Sequence, residues 1–288
     1  MENINSKIIL GTAQFGFEYG INNQLGKPID TEVDNILNLA FENSIITLDT
    51  SFAYGDSEKV LGKSMNRINK DFQIISKLPE TDLNVKEVFY SSLSHLGVDF
   101  LYGYLIHHFI FFKSKPEIWK DIMQLKNNGL IRKIGFSIYS TEELKYLFDN
   151  KIQFDIIQFP YNIFDRQFEP WLPLLKEKKI EIHVRSTFLQ GLFFMEKKLM
   201  PQKLEPLKPY LNLMSDFAID NELNICDIAL NFNLTNPYID GVIIGVDSSK
   251  QLVINIESVR EDITNKVLYL ASKINVKEKC LLNPVNWK

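Results

Sequence analysis

What most constrains this chain is a beat repeated eight times across its 288 residues: a short apolar run, then an amphipathic stretch, with no linker or low-complexity tract between. The apolar runs fall at 7–11 (KIILG), 45–50 (IITLDT), 72–77 (FQIISK), 100–106 (FLYGYLI), 133–137 (KIGFS), 155–159 (DIIQF), 180–184 (IEIHV) and 241–244 (GVII). Each is short and bounded, as a buried strand should be. Helices are expected at 31–42 with Thr31 as cap, at 56–66, at 85–96 with Val88, Phe89, Leu93 and Leu96 on one face, and at 115–127, stopped by Gly129. Further helices are expected from Thr141 and at 171–178, 211–221, 227–233, 250–258 and 263–273. This pattern predicts an α/β chain folded as one (β/α)8 TIM barrel domain over residues 1–288, with a long loop after strand seven (187–210) and C-terminal helices. An open doubly wound sheet is the alternative. It would carry GxGxxG after its first strand, whereas Gly11-Thr12-Ala13-Gln14-Phe15-Gly16 misses that spacing and is not expected to open a helix.

Composition excludes several partners. The net charge is −4, with 32 Lys and Arg against 36 Asp and Glu, so neither nucleic acid nor an anionic membrane is expected to be captured electrostatically. Local basic runs at 176–179 and 197–198 are diluted by acidic neighbours and read as solvated faces. The two cysteines, Cys226 and Cys280, lie far apart with no ligand-like spacing, which suits free thiols in a reducing compartment. No signal peptide is read at the N-terminus, and no run reaches the roughly 18 apolar residues that span a bilayer. A cytoplasmic protein acting on a small molecule is expected, with oligomeric state left open.

Chemistry in such a barrel sits at the C-terminal ends of the strands. Strand two ends on Asp49, with Tyr54 on its loop; strand three delivers Lys77 and strand four His107. A free phenol titrates near pH 10, an adjacent ammonium would lower that value, and a carboxylate can hold the ammonium in place. An imidazole can orient a carbonyl oxygen. Together the four could protonate an oxygen as its carbon receives hydride. His95 and His183 read as structural. His107 and His108 with Asp49 are not expected to bind a metal, because neighbours on a strand point to opposite faces. Phe15, Phe17, Tyr19 and the aromatics of 109–112 could line a substrate pocket or simply pack together. The loop at 187–210 could close over a ligand or be a surface excursion.

These residues resemble the aldo-keto reductase family. LDTSFAYGDSE is similar to its D-T-x-x-x-Y-G segment, ISK to its strand-three lysine, LYGYLIHH to L-x-L-I-H, and NNGLIRKIGFS to G-K-I-R-x-I-G-x-S. LGTAQFG resembles the family's first strand, DIIQFPYN its Q-x-x-Y-N segment, and RSTFLQGLF a stretch in which R-S-P-L-x-x-G-L is common. The resemblance implies Tyr54 as general acid, Lys77 and Asp49 tuning it, and His107 orienting the carbonyl. It also implies NADPH as cofactor, with NADH a possibility. Ser137 and Gln158 would hold the nicotinamide carboxamide. Ser186, Leu189, Gln190 and Gly191 would follow the pyrophosphate. Gly245, Lys250, Gln251 and Asn255 would surround the adenine ribose, with Gly11 and Thr12 at the end of strand one. Ile138 stands where Asn often follows the serine, Thr187 replaces Pro, and Asp247 and Ser248 stand where basic residues often meet a 2′-phosphate. An acidic side chain there would repel that phosphate.

The resemblance, together with GFEYGINNQLGKP and RSTFLQGL, also suggests bacterial members that act in surface-sugar biosynthesis, making a keto sugar or nucleotide sugar a candidate substrate. Two other readings compete. One is a non-catalytic nucleotide-binding regulator on the same fold; the other is an isomerase or lyase using Lys77 as base or Schiff-base amine.

Overall fold

The computed structural model describes residues 4–23 and 25–287; Gln24 of the long first loop and the extreme termini of the expected 1–288 span lie outside the described residues. Eight parallel strands close into a barrel in sequence order: β1 (Ile8–Gly11), β2 (Thr47–Asp49), β3 (Gln73–Leu78), β4 (Leu101–Ile106), β5 (Ile131–Ser137), β6 (Ile156–Pro160), β7 (Glu181–Arg185) and β8 (Gly241–Gly245). β1 pairs with β8 through Ile9↔Ile243 and Gly11↔Gly245, which closes the ring. The helices are α1 (Ala13–Gly16), α2 (Asp30–Glu42), α3 (Ser57–Ile68), α4 (Val85–Leu96), α5 (Phe109–Ser114), α6 (Ile118–Asn127), α7 (Thr141–Asp149), α8 (Leu172–Glu177), α9 (Lys208–Asp220), α10 (Ile225–Leu234), α11 (Ser249–Glu257) and α12 (Thr264–Lys273).

The pleat sorts the strand side chains by a period of two. Outward residues such as Leu10, Leu48, Ile74, Ile157, Val184 and Val242 join one continuous core with the helices. Inward, Ile9, Ile75, Leu105, Ile156 and Ile243 fill the barrel itself. Towards the N-terminal ends of the strands, Glu181 accepts from Tyr102 Oη at 2.9 Å, pairs with Lys133 and meets His183 Nε2 at 2.7 Å. His183 is therefore part of a buried polar plug.

Local rules account for some helix ends. Ser140 and Glu143 form a capping box at α7, and Gly129 takes a left-handed φ of 80° just past α6. Four expectations need correction. Thr31 lies inside α2, whose cap position is Ile29 and has no side-chain cap bond. The GTAQFG stretch does open a helix, the single turn α1. Residues 109–112 begin α5 rather than a loop, and Phe109 and Phe112 pack with Trp119 and Phe136 in the core. The loop after β7 is not a free excursion: Leu189, Leu192, Phe193, Met200, Leu204 and Leu207 are buried. Among the described residues, no helix is long and apolar enough to cross a membrane.

Leu105 is fully buried inside the barrel. Leu105→Ala should cost about 2–5 kcal/mol in urea-monitored unfolding, because the ring of strands cannot collapse onto the missing volume. A cost below about 1 kcal/mol would contradict a packed interior.

Candidate active site

The C-terminal rim collects inward residues from successive strands. In the sheet register Gly11 lies opposite Asp49, Lys77 opposite Leu105, and Ser137 opposite Gln158. Lys77, fully buried, donates to Asp49 Oδ1 at 2.5 Å and to the Thr50 carbonyl at 2.8 Å. Gln158 Nε2 donates to the other Asp49 oxygen at 2.8 Å. The Asp49 carbonyl accepts from the Thr12 backbone and hydroxyl, and Ser57 Oγ donates to the Thr12 carbonyl at 2.8 Å. A carboxylate buried this deeply needs such partners to remain ionised.

Tyr54 closes the group. Its ring centroid lies 5.0 Å from Lys77 Nζ and 5.6 Å from the His107 ring. Two glycines make that position accessible. Gly16 packs so tightly beneath the Tyr54 carbonyl that any Cβ would overlap it, and Gly55, at φ 57°, packs back against Gly16. His107 Nδ1 lies 3.1 Å from Ser51 Oγ, which also accepts from Ala53 N–H. His108 stacks on His107 with ring centroids 4.5 Å apart. Both histidines follow the end of β4, so strand alternation does not separate them. Among the described residues, no group of His, Cys, Asp and Glu could hold a metal ion.

Electrostatics revises one expectation. Burial first, then the Asp49 charge, pushes the Tyr54 phenol above its ordinary range, rather than the nearby ammonium lowering it. Burial likewise lowers Lys77, against the opposing pull of Asp49. His107 falls to about 2, through burial and then the charge of Lys77, and is neutral near pH 7. The rim therefore presents a protonated phenol beside a neutral imidazole.

A cavity of about 350 Å³ runs from Asp49, Tyr54 and Gln158 to Gln251 and Asn255 near α11. Of the residues expected to hold a nucleotide, Gly11, Thr12, Gln158, Ser186, Gln190, Gly191, Gly245, Gln251 and Asn255 line it. Ser137 is buried in β5, Leu189 anchors the core, and Lys250 points to solvent, so these three do not. Ser186, Leu189, Gln190 and Gly191 all take positive φ, giving a left-handed stretch along the cavity wall. Ile138 is fully buried and offers no side-chain group to a ligand. The Lys77 amine is enclosed and spent on Asp49 and Thr50, which argues against a Schiff-base role.

Sequence reasoning missed two features. Residues 19–23 strap the cavity: Ile21 N donates to the Gln190 carbonyl at 3.1 Å, Gln190 Nε2 to Tyr19 Oη at 2.9 Å, and Asn23 Nδ2 to Asp247 at 3.2 Å. Of the aromatics in question, Tyr19 lines the cavity, Phe17 meets Tyr54 edge-on and Phe15 is core. The second feature is Arg185, at the end of β7 and on the cavity wall. The polar alternation Glu181, His183, Arg185 pointed it inward and could have revealed it.

Comparisons with known proteins agree with this arrangement. The model of the aldo/keto reductase family matches residues 7–275. The chain is 26% identical over 251 residues to "Uncharacterized oxidoreductase YqkF" of Bacillus subtilis, covering 78% of this chain and 81% of that protein. It is 27% identical over 247 residues to L-galactose dehydrogenase of Arabidopsis thaliana, covering 77% and 76%. The solved structure of aldo-keto reductase AKR11C1 from Bacillus halodurans superposes with a TM-score of 0.74 at 21% identity, over 94% of each chain, a likeness of fold.

The histidines predict acid sensitivity. His107 is lowered to about 2 and His183, by burial, to about 4, from 6.5. The unfolded chain binds these protons below about pH 6.5 and the folded chain does not, so stability is full above that value and falls as pH drops. His107→Gln should lose less stability than wild type between about pH 7 and about pH 5 in urea titrations. Equal losses would contradict the shift.

Proposed function

The chain belongs to the aldo/keto reductase family, NAD(P)-dependent oxidoreductases that act on carbonyls, and from that membership we propose that it reduces a small aldehyde, ketone or keto sugar with Tyr54 as proton donor. The observation that carries this is the neutral Tyr54 phenol at the cavity wall, beside neutral His107 and with the enclosed Lys77–Asp49 pair behind it. The cavity suits an extended nicotinamide nucleotide. Its reacting end holds Tyr54 and Gln158, its middle the left-handed stretch and the Gln190 amide, and its far end Gln251 and Asn255. A bound nicotinamide supplies hydride to the carbonyl carbon.

The chain's own groups handle the oxygen. Ser51 Oγ already accepts from Ala53, so its hydrogen can bond His107 Nδ1 and leave the proton on Nε2. That N–H orients the carbonyl oxygen, and Tyr54 gives up its proton as negative charge develops there. Two of the three Lys77 N–H groups are spent on Asp49 and Thr50, which leaves one to stabilise the phenolate. The rise in the Tyr54 pKa keeps the proton in place until charge develops on the substrate.

NADPH is the cofactor by family habit, with NADH also used. Asp247, fixed by Asn23 and Gln251, puts a carboxylate on the far wall, and Lys250 is the nearest exposed cation in sequence. A keto sugar fits the kinship with a sugar dehydrogenase. A cytoplasmic setting agrees with two free thiols, Cys226 buried and Cys280 exposed.

Tyr54→Phe should lower kcat/KM by about 100- to 10,000-fold in NADPH-oxidation assays while nucleotide Kd stays unchanged. Turnover at the wild-type rate would remove Tyr54 from the mechanism. Asp247→Ala should tighten NADPH relative to NADH in fluorescence titrations, since a carboxylate repels a 2′-phosphate. An unchanged ratio would place that phosphate away from Asp247.

A further inference from the structure

Arg185 stands apart from the other cations of the barrel interior. Lys77 pairs with Asp49 and Lys133 with Glu181, whereas no carboxylate lies within ion-pairing distance of Arg185 among the described residues. Asp165, close enough for its charge to register, is held instead by the backbone N–H and side-chain amide of Gln167. The guanidinium lies over the Tyr139 ring, its carbon 4.0 Å from the centroid, and spends one N–H on the Ile138 carbonyl at 3.2 Å. Among the described residues, four of its five N–H donors find no protein acceptor. A cation half-buried without a counter-charge is costly unless a ligand supplies one.

Its position fixes where that counter-charge would sit. Arg185 lines the cavity at the end that holds Asp49, Tyr54 and Gln158, and its charge registers at Tyr54, Lys77 and His107 alike. The opposite end, at Asp247 and Gln251, lies beyond the left-handed stretch. The Tyr139 ring and the Ile138 carbonyl hold the guanidinium in place before any ligand arrives. A planar fork held this way matches a carboxylate or phosphate.

We propose that Arg185 is a specificity-determining residue that binds an oxyanion, a carboxylate or phosphate, carried by the carbonyl substrate close to its reacting carbon. The inference rests on the carbonyl-reductase reading and narrows its substrate class to small oxo acids, aldehyde acids and phosphorylated carbonyls. The oxyanion anchors on Arg185, and the carbonyl oxygen meets Tyr54 and His107.

The test compares succinic semialdehyde with its methyl ester, and glyceraldehyde 3-phosphate with glyceraldehyde, in wild type, Arg185→Lys and Arg185→Gln. Wild type should favour the anionic member of at least one pair by about tenfold or more in kcat/KM, and the pair identifies carboxylate or phosphate as the anion. Arg185→Gln should abolish that preference, mainly through a raised KM for the anionic member, with nucleotide Kd unchanged. Arg185→Lys should keep part of it, as a point charge without the fork. No anionic preference in wild type, or a preference that survives Arg185→Gln, overturns the proposal. So does a tenfold loss of nucleotide affinity in Arg185→Gln, which would place the guanidinium on the cofactor. Calorimetry separates the two readings. If nucleotides bind but no carbonyl is turned over, the reductase reading fails. The proposal then stands only if the two anionic carbonyls bind the wild-type nucleotide complex and not the Arg185→Gln complex.

Discussion

The site depends on one buried ion pair. Lys77 and Asp49 are almost fully buried, and their mutual attraction has to offset the cost of leaving bulk water. Neither could do so alone. The Thr50 carbonyl and the Gln158 amide complete the coordination, drawing in β2, β3 and β6, and the bonds from Thr12 to the Asp49 carbonyl tie in the end of β1. A single charge pair thereby fixes the heights of four strand ends. Tyr54 is positioned by the loop that starts from β2, so its geometry follows from the pair, and Ser51 of the same loop meets His107 just past β4.

The same pair also explains why a nearby ammonium does not make Tyr54 acidic. Asp49 neutralises much of the Lys77 field, and burial of the phenol outweighs the lowering charge of Arg185. What results is a reluctant acid that keeps its proton until charge appears opposite it. That is a property of the assembled rim, and pairwise reasoning about Tyr54 and Lys77 gives the wrong direction.

Much of this was legible in the residues. Eight apolar runs predict eight strands, and the boundaries shift only by one or two positions at the ends. Asp49, Lys77 and His107 are readable because each lies at or next to the end of a strand. Contacts between distant segments were hidden. The strap joins Tyr19 to Gln190 and Asn23 to Asp247, and nothing in either local stretch announces the other. Arg185 is a different case: its period-two pattern with Glu181 and His183 is visible in the sequence, but it alternates with the apolar Ile182 and Val184 that mark the strand. Leu189 and Lys250 show the converse: a matching position in a segment does not settle which way a side chain turns.

Gly16 and Gly55 extend the site in a further direction. They touch each other and the Tyr54 backbone, and their packing leaves no room for a side chain. Natural variation at position 16 is therefore tied to a residue on another strand's loop, nearly forty positions away. A catalogue of tolerated substitutions would mark both glycines as intolerant although neither supplies a functional group. The chemistry of this rim is thus inherited together with two positions whose only contribution is the absence of an atom.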